Sequence, residues 1–292
     1  LLSNQQLQDI QTLQQHCENI DNISLKLNWE MLRTRKPEDK MDYFHYTGDM
    51  LTGFLGVYKF GSKLEICGMV HPQYRRRGIF NSLLQEALQD SEVDDYSSLL
   101  LNTPANSISG EKFLHIISCQ YECSEYQMRW DSMHEEDISH IDVPASSERE
   151  VVIREALQSD ITDLIRLDKD GFGMIDEEVL DMAKVLADDG LQYMHIIECD
   201  GTTVGKINII PEGNQTWIYA FTIDPAIRGQ GIGRRTLQLM IDQQQPNHNE
   251  LWLEVAVHNP KALKLYESCG FVTQEKQNYY QYKGIFSSEL GL

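Results

Sequence analysis

Basic residues are scarce in this chain: 25 Lys and Arg stand against 45 Asp and Glu, a formal net charge of −20 over 292 residues. The deficit is shared, with 13 basic against 24 acidic residues up to position 150 and 12 against 21 beyond it. Nucleic-acid binding needs a basic footprint, so that class of partner is not expected, and a cationic or neutral substrate is favoured. Acidic surface also serves solubility alone. No apolar run reaches the ~20 residues of a membrane helix, and the opening residues LLSNQQLQDI are polar rather than signal-like, so no membrane partner is expected. The six cysteines lack CxxC spacing and the nine histidines form no HxxH or HxxxH pair, which removes the usual zinc and disulfide frameworks and leaves reduced thiols. The expected setting is the cytoplasm, with no metal.

What remains is a chain long enough for about two domains of roughly 100 to 200 residues. Leu7, Ile10 and Leu13 recur at helical spacing in residues 4–17, and 25–35 is ambiguous between helix and strand. Asp42 to Val70 reads as a three-strand meander, followed by a helix striped by Ile79, Leu83, Leu84, Ala87 and Leu88. A buried strand (97–103), a helix (106–118) and an alternating strand (121–130) complete a first domain, 1–130. Residues 131–149, acidic with Pro and Ser, are the linker candidate.

The second domain, 150–292, repeats that order. A strand (151–156) leads to a helix capped by Ser159 or Asp160, and a second helix runs from Asp176 to Gly190. A hairpin turns at Asp200-Gly201, and QTWIYAFTID follows as the central strand. Then come a glycine turn and its helix (230–243), the buried strand 251–257, a helix capped by Asn259 with Pro260 at N1 and stopped by Gly270, and two further strands. At an offset of 153, Val70, Pro72, Arg75, Gly78 and Ile79 fall on Ile223, Pro225, Arg228, Gly231 and Ile232. One fold has been written twice.

The stretch around which the second half is organised is IDPAIRGQGIGRR. Gly229, Gly231 and Gly233 remove the Cβ atoms that would hold an anion away from the backbone N–H groups opening the helix. A dinucleotide fold would need a glycine at 234, where Arg234 stands, and no βαβ series surrounds it.

In these residues the chain resembles the GNAT superfamily of acetyl-CoA-dependent N-acyltransferases. Arg228, Gly231 and Gly233 match its (Gln or Arg)-x-x-Gly-x-(Gly or Ala) signature, and Asn259, Ala262, Tyr266, Gly270 and Phe271 match its strand-to-helix segment. The resemblance implies an α/β (α+β) fold class, here two GNAT-like domains in tandem, each a twisted, mixed but mostly antiparallel sheet flanked by helices. The layout is similar to that of mycothiol synthase, whose substrate is not carried over. The first half fits less well: Phe80 stands where the third small residue belongs, and Ile116 falls where the second half has Tyr266.

The resemblance further implies acetyl-CoA as cosubstrate. Phe221, Thr222 and Ile223 of a splayed central strand would meet pantetheine and the thioester carbonyl. Arg228, Gly229, Gln230, Gly231, Ile232, Gly233 and Arg234 would meet the diphosphate, with Asn259 and Ala262 beside them. Arg234 also reads as one of a solvated pair with Arg235, and Asn259 as a helix cap.

Acyl transfer to an amine demands a deprotonated nitrogen, a stabilised oxyanion and a proton for the leaving thiolate. By resemblance Tyr266 is the acid; a core tyrosine is the alternative reading. The base is open between Glu254, on the opposite face of its strand from Leu251, Leu253 and Val255, and Tyr219. The expected activity is N-acetylation of a primary amine on a small molecule or peptide by the second half, in a monomer or homodimer. A non-catalytic CoA sensor and a second working CoA site in the first half are the other readings.

Overall fold

A computed structural model describes residues 2–36, 40–90, 96–117, 119–132, 149–174, 191–244 and 249–284. The chain forms two compact units, one from Leu1–Ser124 with Glu275–Leu292 and the other from Glu125–Gln274.

In the first unit, α1 (Asn4–Asp21) starts at a capping box in which Ser3 and Gln6 satisfy each other's backbone donors, and it stops where Asn22 turns left-handed. It runs past the expected end at 17 and buries Ile10, Leu13 and Cys17 against Phe54, Tyr58 and Met69. The ambiguous stretch resolves as a short helix, α2 (Trp29–Thr34). The meander is β1 (Asp42–Thr47), β2 (Met50–Phe60) and β3 (Lys63–Val70), all antiparallel. Then follow α3 (Ile79–Asp90), β4 (Ser98–Pro104) parallel to β3, and α4 (Ile108–Ile116), capped by Ser107. Strand β5 (Cys119–Trp130) leaves this unit after Ser124.

The second unit contains β6 (Val151–Glu155), α5 (Ile161–Phe172), β7 (Met194–Cys199), β8 (Thr202–Glu212), β9 (Gln215–Ile223), α6 (Ile232–Gln244), β10 (Glu250–Ala256) and α7 (Pro260–Glu267). Its ladder is antiparallel except for β9 with β10. The residues from Glu125 in β5 pair antiparallel with β10, bringing Met128 into the core with Ile218, Leu253, Leu237 and Met240. β11 (Phe271–Tyr282) replaces the two closing strands expected, because no glycine, proline or turn pair interrupts it. Its residues Gln277–Gln281 pair with β4 and complete the first unit's sheet.

Each sheet is therefore mixed and mostly antiparallel, with one parallel pair and helices against it. The expected helix from Asp176 and nearly all of the 131–149 linker lie outside the described residues. Neither Ser159 nor Asp160 donates a side-chain cap to α5; the Asp160 carboxylate instead takes two bonds from Arg154 (2.7 and 3.0 Å) and one from the Leu157 N–H (2.8 Å).

One ion pair sits inside the second unit: Lys206 Nζ lies 2.5 Å from Asp168 Oδ1, with side chains 1% and 2% exposed. Burial pushes the Asp168 carboxyl up and the Lys206 ammonium down, while each partner's charge acts against that drift. Removing one partner strands the other in the core, whereas replacing both with apolar groups does not. Lys206→Met is expected to cost about 3 kcal/mol in urea unfolding, and Lys206→Met/Asp168→Leu to recover most of it. A double variant no more stable than the single would contradict this.

Candidate functional site

The site is prepared by a defect in the central strand. Along β8 and β9 the register is Gly205↔Ile223 and Lys206↔Thr222, then Asn208↔Tyr219, so β9 carries one extra residue. Ala220 takes it up with φ +46°, a left-handed conformation that a residue with a Cβ rarely adopts. The parallel ladder between β9 and β10 runs from Glu250↔Gln215 to Leu253↔Ile218 and stops there. Both strands continue beyond it, β9 on β8 to Ile223 and β10 on β5 to Ala256, so each keeps its outer neighbour. A wedge opens at Ile218 and Leu253, edged by residues 219–223 and 254–256.

The glycine turn closes the wide end of the wedge. Asp224 accepts from the Ala226 N–H (2.9 Å) and from Arg166 (2.6 Å); these bonds, the backbone one first, hold its carboxyl below the usual range. Pro225 then opens a single 3₁₀ turn, Pro225–Ile227. Arg228 folds back onto the strand end, donating from Nε to Ile223 O (2.8 Å) and from Nη2 to Thr222 Oγ1 (3.1 Å). Gly229 and Gly231 stand at φ +80° and +83°, which is what lets successive N–H groups converge ahead of α6. A Cβ on Gly229 would meet nothing within 4 Å, so the space in front of the turn is open. Gly233 serves packing as well: a Cβ there would lie 3.2 Å from Leu265 Cδ2 of α7.

The remaining candidates divide. Asn259 caps α7, accepting from the Ala262 N–H at 3.2 Å. Gln230 accepts from Arg149 at 2.9 Å. Arg234 does not reach outward: it donates twice to Ser268, at the carbonyl and at Oγ, both 2.8 Å, and so finishes α7. Tyr266 is 7% exposed in the core beside Phe271, and burial pushes its phenol up to about 12.

Tyr219 and Glu254 are the first residues past the last rung between β9 and β10, one on each strand, on the sheet face opposite Ile218, Leu253 and Tyr266. Glu254 accepts from Gln127 Nε2 at 2.9 Å. Sequence reasoning missed Gln127, which reaches this site only because β5 pairs with β10. It also missed a platform on the same face, where Trp217 stacks on Trp252 at 5.3 Å and on Tyr219 at 5.8 Å. Glu250 borders it. Burial acts upward on that carboxyl, but bonds from Trp252, Gln215 and Arg129 outweigh it and hold it below the usual range.

Residues 160–271 match the model of the acetyltransferase (GNAT) family. Among curated proteins, the chain is 36% identical over 69 residues to the [ribosomal protein bS18]-alanine N-acetyltransferase of Escherichia coli, covering 23% of this chain and 47% of the relative. It is 34% identical over 70 residues to N-alpha-acetyltransferase 30 of Saccharomyces cerevisiae, covering 23% and 40%. The chain spans about half the length of the curated relatives it matches. Among solved structures, a GCN5-related N-acetyltransferase from Sphaerobacter thermophilus superposes with TM-score 0.70 at 18% identity, over 94% of this chain and 91% of that one. A tandem GNAT protein from the clavulanic acid biosynthesis pathway superposes with TM-score 0.66 at 13% identity, over 94% of each. At such identities the likeness is one of fold.

Proposed function

Because residues 160–271 match the model of the acetyltransferase (GNAT) family, we propose that the second unit moves an acetyl group from acetyl-CoA to a primary amine. The observation that carries this reading is the conjunction of wedge, glycine turn and Tyr266 in one unit. The open space before Gly229 and the converging N–H groups suit a diphosphate, and the unpaired strand edges of the wedge suit an amide-bearing arm. The cosubstrate supplies an electrophilic thioester carbonyl.

The chain's own groups do the rest. The wedge joins the two faces of the sheet, with Tyr266 on one and Glu254 and Tyr219 on the other. An alkylammonium of pKa about 10 must lose a proton to become a nucleophile. Glu254, steadied by Gln127, takes that proton, directly or through water, with Tyr219 beside it. Those N–H groups of β9 among Phe221, Thr222 and Ile223 that alternate away from β8 and toward the wedge stabilise charge on the carbonyl oxygen. Tyr266 holds a proton at Oη for the departing sulfur.

One relative is named as an N-alpha-acetyltransferase and the other as an N-acetyltransferase of an alanine of ribosomal protein bS18, so a peptide α-amine is the first acceptor class to try. The Trp217–Trp252 platform and the neighbouring carboxylates suit a cation with an apolar flank. Thiol release from acetyl-CoA is expected with peptides bearing a free α-amine, above that with polyamines or aminoglycosides. Silence across all three classes, with acetyl-CoA still bound in calorimetry, would favour a sensor.

A further inference from the structure

The first unit holds a wedge of its own. Its parallel ladder runs from Lys63↔Ser98 to Ile66↔Leu101 and stops, while β3 stays on β2 to Val70 and β4 on β11 to Pro104. A cavity of about 780 Å³ occupies the gap, lined by Ile66, Met69, Ile79, Phe80, Leu101 and Phe113 among others. That volume lies within the range of small-molecule sites.

Asn102 is the first residue of β4 past the last rung and lines this cavity. It is 9% exposed, and neither its Oδ1 nor its Nδ2 has a hydrogen-bond partner. A buried amide with both donor and acceptor unmatched is costly, and the complement that satisfies both is another neutral amide.

The turn that forms the anion cradle keeps its backbone angles here, with Gly78 at φ +78° for Gly231 at +83°, but its side chains differ. Arg75 keeps the bond from Nε to the strand-end carbonyl, Val70 O (3.0 Å), that Arg228 makes to Ile223 O, but its Nη1 and Nη2 go to the Asp21 carboxylate (3.0 and 2.6 Å). Phe80 takes the place of Gly233, its ring 4.9 Å from Phe113 and close over Gly68. Arg76, at φ +64°, occupies the conformation that Gly229 holds in the second unit. Arg76 and Lys112 are exposed at the rim, where charges contribute little.

We infer that the first unit binds a neutral, extended, largely apolar molecule through a secondary amide paired with Asn102, and that it does not read a diphosphate. A pantetheine chain and a blocked apolar peptide share that chemistry.

Calorimetry on the full chain with saturating CoA present separates the sources. One arm titrates pantetheine and the other N-acetyl-leucyl-leucinamide. At least one should bind with a stoichiometry of one, the binding arm identifying the source, and Asn102→Leu should weaken it at least about tenfold. Without any probe, Asn102→Leu should melt no lower than the parent, since an unmatched amide has been removed. Failure of both probes to bind, their displacement by CoA, affinity unchanged in Asn102→Leu, or a lower melting temperature for that variant would each overturn the inference.

Discussion

Tyr266→Phe is expected to lower kcat by about 10² to 10⁴, the usual contribution of a positioned proton donor, while the Kd for acetyl-CoA stays within about twofold. The substitution keeps the ring beside Phe271 and removes only the hydroxyl, so the fold has no reason to respond. A phenol raised to about 12 is protonated throughout the working range, and that is the form an acid requires. It also sets the alkaline behaviour. Because deprotonation would disable the acid only near pH 12, kcat should show no falling alkaline limb below about pH 10. A falling limb near 8 or 9, or near-parental turnover in the variant, would assign the proton to another group and leave Tyr266 as core.

Gly233→Phe writes the first unit's residue into the second, and it should weaken acetyl-CoA binding by about 10² or more. The first methyl of any side chain at 233 meets Leu265 at 3.2 Å, Phe221 at 3.7 Å and Ile223 at 3.8 Å. In the first unit the ring of Phe80 is accommodated because Gly68 lies beneath it, whereas the repeat offset puts Phe221 at that place. A ring at 233 must therefore turn outward over the N–H groups of the turn, or force α7 away at a cost of about 1 to 3 kcal/mol. Gly233→Ala asks only that Leu265 yield slightly, and a few-fold loss is expected. Calorimetry and a thermal melt on each variant separate lost binding from lost stability. Equal affinity in Gly233→Phe would remove the turn from the cofactor site.

The residues that announced themselves in the sequence were those whose chemistry is local. Gly229 and Gly231 are required by their backbone angles, Asn259 caps the helix it precedes, and the alternation of Leu251, Leu253 and Val255 correctly set Glu254 on the other face. What escaped were features that depend on distant chain or that break a local preference. Ala220 gives no sign that it is left-handed, since alanine is a poor choice there and tertiary pairing imposes it. The partners of Glu254 and Arg234, Gln127 and Ser268, are 127 and 34 residues away. The stretch 25–35 was undecidable because the six residues of its helix, Trp29–Thr34, are too few for a period to declare itself.

The exchange of closing strands carries a consequence for the order in which the protein is made. The first unit's sheet is completed by Gln277–Gln281, made after every other described strand of both units, while the second borrows Glu125–Arg129, made before the rest of it. Until β11 is made, β4 presents an open edge with Leu99, Leu100 and Leu101 behind it. The nascent chain must then wait, holding a half-built sheet, and separate expression of residues 150–292 would deprive the second core of Met128. The chain forms two compact units, but the trade of strands makes them a single unit of biosynthesis.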